Sequence, residues 1–195
     1  MKTKNGRVRR LTAKAVIIIL VCATVCGILL DLLITGVERS AYPRKYLKEV
    51  QAASDEFGVP EHIIFAVIKT ESNFDKTAVS GAPAYGLMQL TEETYLWIGN
   101  DMLGEDPSAF DIYDPKTNIR YGTYYLSFLF RKYGRWDTAF AAYNAGPGNV
   151  NEWLEDEEIS DTDGNLVNIP FKETRNYVKK VNAATKEYKK LYYKK

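Results

Sequence analysis

The order of apolar and polar positions divides the chain into one long apolar run followed by a series of shorter helical stripes. Residues 15–30 contain no charge, and residues 32–37 carry the run past Asp31 to about the twenty residues that cross a hydrocarbon core. Beyond it, Leu47, Val50 and Phe57 predict a helix that begins near Pro43 and stops at Gly58. Pro60 opens another, in which Ile64, Val67 and Ile68 form a stripe at the i, i+3, i+4 spacing. The next position on that stripe is Glu71, a carboxylate continuing an apolar face.

Further along, Thr91 is a cap for a helix with Glu92 and Glu93 in its first turn, ending at Gly99, and residues 100–113 read as irregular. Asp114-Pro115 then starts a long helix with Ile119, Leu126, Leu129 and Tyr133 on its buried side and Gly134 as its stop. Its many aromatics, Tyr121, Tyr124 and Phe128 among them, suit a helix buried on several sides better than a sugar-stacking surface. Trp136 leads a short helix to Asn144, residues 145–149 turn the chain, and a last helix from Lys172 places Tyr177, Val181, Tyr188 and Leu191 near one face. No stretch alternates with a period of two, so the body is expected to be all-α.

Lys2, Lys4, Arg7, Arg9, Arg10 and Lys14 precede the apolar run. By the positive-inside rule, residues 1–14 form a basic cytoplasmic segment and residues 15–37 a single-pass membrane anchor. Residues 38–45 form a short tether, and a body over residues 46–191 lies outside, close to the bilayer. Asp31 falls near the outer end, within reach of headgroups. A cleaved signal peptide is the rival reading, although Thr35-Gly36-Val37 and Arg39-Ser40-Ala41 are both imperfect cleavage sites.

Composition narrows the chemistry. The six basic residues at the start exceed the whole formal net charge of +1, leaving −5 for the remainder, which argues against nucleic acid as a partner. Cys22 and Cys26 both lie in the apolar run, so the body has no disulfide and no cysteine metal site. His62 is the only histidine, which excludes a zinc hydrolase with several imidazoles. Asp161-Thr162-Asp163-Gly164-Asn165 has a calcium-loop look but lacks the spaced ligands and terminal Glu of such a loop. No metal and no cofactor are expected.

Glu71 is the residue whose setting most changes the picture. A carboxylate against aliphatic neighbours responds by holding its proton to higher pH, and can then act as a general acid near neutrality. The alternative, a solvated helix end, is the more common fate of a Glu at that position. The sequence after it, with Ser80-Gly81, Pro83, Gly86 and then Gly86-Leu87-Met88-Gln89-Leu90, allows backbone to come close to a ligand, and Gln89 adds an amide. Asp75 lies four residues on, in the loop and off the stripe.

Taken together with AYNAGPGNV at residues 142–150 and ETRNYVKKV at residues 173–181, this stretch resembles the soluble lytic transglycosylase family, whose catalytic domain looks like goose-type lysozyme. The resemblance covers about residues 46–191 and rests on three long motifs in a fixed order. It implies a lysozyme-like helical domain acting on peptidoglycan glycan strands. In that family a single Glu acts first as acid, then as base on the C6 hydroxyl of the sugar, and leaves a 1,6-anhydromuramoyl end without metal or water. By position in the motifs Glu71 takes that role. Ser80, Met88 and Gln89 fall where the family lines the cleft, and Tyr143 matches the tyrosine that hydrogen-bonds the acid. Asn144 and Tyr177 help to shape the cleft, while Ser72, Phe74 and Gly86 are packing and turn residues.

The chain departs from the family where Met-Pro usually follows the GLMQL motif; here Thr91-Glu92-Glu93-Thr94 stands instead, which still starts a helix. Two other functions remain open at this level. One is a muramidase that delivers water to the same intermediate. The other is a non-catalytic peptidoglycan-binding scaffold, against which the joint presence of Glu71, Gln89 and Tyr143 counts.

Overall fold

The computed structural model describes residues 12–81 and 83–193; most of the basic segment expected over 1–14 lies outside them. The chain divides into two units, Met1–Pro43 and Arg44–Lys195.

The described part of the first unit is one helix. α1, Ala13–Ala41, begins where Thr12 caps it by accepting a hydrogen bond from the Ala15 N–H at 3.3 Å. Its 29 residues rise by about 44 Å at ~1.5 Å each, more than the ~30 Å hydrocarbon core, and none of them is buried. It is long and apolar enough to cross a membrane. The helix runs on through Glu38 and Arg39 to Ala41, so the first half of the tether expected over 38–45 is helical.

The second unit is helical, with one minimal hairpin. α2, Leu47–Phe57, starts four residues later than Pro43 suggests, because Tyr46 adopts a left-handed conformation at φ 59° just before it. It stops as expected at Gly58, whose φ of 71° suits glycine. α3, Glu61–Ser72, follows Pro60 and is buried on every side from Ile63 to Ile68. Its strongest packing is against α8, Lys172–Tyr192, where Phe65 stacks on Tyr188 with ring centres 5.5 Å apart.

Two two-residue strands, β1 Ala84–Tyr85 and β2 Leu90–Thr91, pair antiparallel and hold residues 86–89 between them. They are too short to give an alternating pattern in the sequence. α4, Glu92–Trp97, is capped by Thr91 as expected, but it does not end at Gly99. It runs into a π-helical turn over Ile98–Leu103, and the stop is Gly104 at φ 65°. Gly99 serves close approach instead, since a Cβ there would sit 2.8 Å from the Pro107 Cβ.

α5, Pro115–Tyr133, matches its expected bounds: Asp114 caps it by accepting from the Thr117 N–H at 2.9 Å, and Gly134 closes it at φ 71°. It packs against α2 and against α6, Trp136–Ala145. Arg120 on α5 clamps two carboxylates, Glu56 on α2 and Glu105, each at 2.7 Å. The turn expected over 145–149 is confined to Gly146, because Pro147 suits a first helical position and starts α7, Pro147–Leu154. The acidic loop after α7 is irregular, and Asp161 caps its own turn by accepting from Asn165 and Asp163. Among the described residues no cluster of potential ligands could hold a metal ion.

Candidate active site

Glu71 sits in the last turn of α3, after the buried run ending at Ile68 and before Asn73 and Phe74, two successive left-handed residues that turn the chain sharply away. Phe74 is itself buried, with its ring 6.4 Å from Phe65, and this pins the turn. Burial pushes the Glu71 carboxyl up to about 7, the nearby Tyr177 hydroxyl draws it partly back, and the charge of Glu173 adds to the rise. The cause anticipated from the apolar stripe is therefore the leading one. Asp75 is the opposite case: exposed, it accepts from the Thr77 N–H at 2.9 Å and hydroxyl at 2.7 Å, and is held below the usual carboxylate range.

The segment facing Glu71 is fixed by buried groups. The Ser72 hydroxyl donates to the Leu87 carbonyl at 2.8 Å, fastening the loop to the end of α3. Asn118, fully buried on α5, accepts from the Met88 N–H at 2.7 Å. Its amide also donates to the Tyr85 and Ile112 carbonyls at 3.0 and 2.8 Å. Gly86 permits this: its φ is 76°, and a Cβ would fall 2.5 Å from the Asn118 Nδ2. Sequence reasoning passed over Asn118. The only trace of its role is Gly122 one helical turn later, on the same face.

Met88 is not on the cleft surface, as the family pattern led us to expect. Its side chain is fully buried against α5, where a Cβ on Gly122 would lie 2.5 Å from the Met88 Sδ. Gln89 is held in a left-handed conformation at φ 49°, and both its amide hydrogens go to loop carbonyls, Ala78 at 3.0 Å and Gly86 at 2.9 Å. Only its carbonyl oxygen is left for a ligand. Ser80 is exposed on the lip, its N–H bonded to the Ala84 carbonyl at 3.2 Å.

The two tyrosines divide their tasks differently from expectation. The Tyr143 hydroxyl donates to the Met88 carbonyl at 2.8 Å rather than to Glu71, though both it and Tyr177 feel the Glu71 charge. Tyr177 on α8 is 7 % exposed. Its hydroxyl makes no hydrogen bond of good geometry, yet it acts on Glu71 as a donor. Those observations fit a hydroxyl close to the carboxyl but outside hydrogen-bonding geometry. Burial first, and then the Glu71 charge, keep both hydroxyls protonated far above neutrality. Asn144 does not reach inward: its carbonyl oxygen accepts from the buried Thr174 hydroxyl at 2.7 Å, joining the end of α6 to α8. A cavity of about 800 Å³ lies apart from Glu71, lined by Tyr133, Leu154, Ser160 and Gly164, and shares no residue with the three motifs.

This arrangement is a single protonatable carboxyl in an apolar wall, with two neutral phenols and a rigid loop around it. The model of the transglycosylase SLT domain matches residues 48–165. The chain belongs to this family. Its second unit accordingly has the lysozyme-like SLT fold. It is similar to the lytic transglycosylase Slt of Pseudomonas aeruginosa, solved as an inactive Glu-to-Gln mutant, with 32 % identity over 76 % of this chain, 24 % of that one, and a TM-score of 0.66. It is also similar to the 70-kDa soluble lytic transglycosylase of Escherichia coli, with 30 % identity over 87 % of this chain, 27 % of that one, and a TM-score of 0.68. A complex of the 70-kDa enzyme with bulgecin A matches at 29 % identity, with the same TM-score, over 90 % of this chain and 28 % of that one. The chain thus spans about a quarter of these solved structures. Tyr177 and Glu173 lie beyond the matched SLT residues, so their place beside Glu71 comes from the packing of α8 on α3.

Proposed function

We propose that this SLT-family chain is a membrane-anchored peptidoglycan lytic transglycosylase in which Glu71 serves as both acid and base. The observation that carries the reading is the Glu71 carboxyl itself, half-buried at the end of a buried helix and protonated up to about pH 7. Glu71 gives its proton to the glycosidic oxygen as the bond from the muramoyl C1 breaks, leaving an oxocarbenium-like centre. The resulting carboxylate then takes the proton of the C6 hydroxyl, whose oxygen bonds to C1. The balance is one proton out and one back, and the product is a 1,6-anhydromuramoyl end with no water consumed.

Tyr177 orients the carboxyl and steadies its charged form between the two steps. Tyr143 holds the Met88 carbonyl and so the loop, while the Gln89 carbonyl oxygen and the Ser80 lip meet the glycan. α1 is the anchor, with its basic end in the cytoplasm and the SLT unit on the other side of the membrane. The test is to treat purified sacculi with the detergent-solubilised chain and to weigh the released muropeptides. Anhydro ends, lighter than hydrolysed ends by one water, support the proposal. Hydrated ends assign a muramidase, and binding without release assigns a scaffold.

A further inference from the structure

Charge in this protein is segregated in a way the candidate site does not use. Residues 15–171 hold eleven basic and twenty-three acidic side chains, whereas residues 172–195 hold nine basic and two acidic ones. α8 buries one face against α3 and α6 and exposes lysines on the other, with Lys186, Lys189 and Lys190 gathered towards its end. Cations in a last turn offset the helix dipole, but that effect is confined to one turn and does not account for the run as a whole.

The end of α8 is fixed to the start of the second unit. The Arg44 guanidinium lies 4.2 Å from the centre of the Tyr192 ring. The Tyr193 hydroxyl donates to Glu61 at 2.6 Å, and its ring centre is 5.6 Å from that of His62. Lys45 and Lys48, exposed, follow Arg44 along the chain. Of the acids nearby, Glu61 is engaged by Tyr193 and Glu187 by Lys190 at 3.4 Å, while Glu49 follows Lys48 in the first turn of α2.

Connectivity decides what this basic end meets. α1 closes at Ala41, and three peptide steps of at most ~3.5 Å each lead to Arg44. Whatever the arrangement of the two units, the Arg44 backbone stays within about 11 Å of the end of α1, and Tyr192 packs on its guanidinium. Basic side chains interleaved with tyrosines beside a spanning helix are drawn to anionic headgroups, over a range of about 8–10 Å at physiological salt.

The geometry points to a second membrane contact: the Arg44–Tyr192 junction, with Lys45, Lys48, Lys189 and Lys190, binds the anionic phospholipid headgroups of the bilayer that α1 spans. This rests on the proposed anchorage by α1. The full chain is reconstituted in vesicles of phosphatidylcholine, alone or mixed with phosphatidylglycerol, and treated with an amine-acylating reagent; labelling of each lysine is read by mass spectrometry. Lys48, Lys189 and Lys190 label several-fold more slowly in the anionic vesicles, high salt abolishes the difference, and Lys76 and Lys132 label equally in both. The double variant Lys189→Gln, Lys190→Gln loses the protection at Lys48 with turnover of sacculi unchanged. Equal labelling in a chain that co-floats with both vesicles overturns the contact and leaves the anchorage standing. Failure to co-float overturns both. Protection in phosphatidylcholine vesicles by added soluble glycerol phosphate polymer, without protection by phosphatidylglycerol, overturns the lipid assignment in favour of a wall polyanion.

Discussion

The Tyr177 hydroxyl lies close enough to the Glu71 carboxyl to lower its pKa, whereas the neighbouring Tyr143 hydroxyl is committed to the Met88 carbonyl at 2.8 Å. Two similar side chains therefore have separable effects. Tyr177→Phe removes a group that holds the Glu71 pKa down, so the alkaline limb of the activity profile moves to higher pH. Tyr143→Phe leaves the limb in place and lowers turnover by loosening the loop. Profiles of sacculus turnover against pH for both variants check this, and an equal displacement in the two would contradict the division of tasks.

Activity should depend on the protonated form of Glu71. With a pKa of about 7, turnover is sustained in mild acid and falls roughly tenfold per unit once the pH passes that value. Glu173 contributes to the rise through its charge, so Glu173→Gln moves the fall to lower pH. Glu71→Gln keeps the shape of the side chain but has no proton to give; turnover is lost by several orders of magnitude while glycan binding persists.

The same substitution has an opposite effect on stability. Between its unfolded value near 4.5 and its folded value near 7, Glu71 binds a proton in the native state only, so stability falls as pH rises through that window. The loss is complete above about pH 7 and amounts to at most ~3 kcal/mol, less what partial solvation of the carboxyl recovers. Glu71→Gln has no such loss. Melting curves of the variant and the parent chain are expected to converge below pH 4.5 and separate at pH 8, with the inactive protein the more stable.

Asn118 sustains the loop from behind. Asn118→Ala leaves the Met88 N–H and the Tyr85 and Ile112 carbonyls without their buried partner, which costs about 2–4 kcal/mol. In a chain of this size that lowers the melting temperature by roughly 5–12 °C. Gly86→Ala acts on the same contact from the other side, through both its positive φ and the 2.5 Å approach. Because the two substitutions strike one contact, their effects in the double variant are expected to fall short of additive, which a thermal-denaturation cycle measures.

The sequence is most informative where structure is decided locally. Asp114-Pro115 and Gly134 bound α5 correctly because capping, a fixed proline φ and a left-handed stop act within one turn of the residues concerned. The place of Glu71 was legible for a similar reason, as the next member of a helical stripe. The side chains opposite it were not. Met88 turns inward because α5 offers a gap at Gly122, and Tyr143 is drawn to a carbonyl fifty-five residues away, so both depend on a partner that periodicity does not name. Gly99 misled in the same way, since its glycine answers to Pro107 across the fold rather than to the end of its own helix.

One consequence follows from the pairing of α3 with α8. The acid is made early in the chain, and the phenol that faces it arrives a hundred and six residues later, from Glu71 to Tyr177. A ribosome-bound or prematurely terminated product lacks that phenol and the apolar lid that Tyr188 supplies to Phe65. The setting that raises the Glu71 pKa is therefore completed only when the last helix packs on α3.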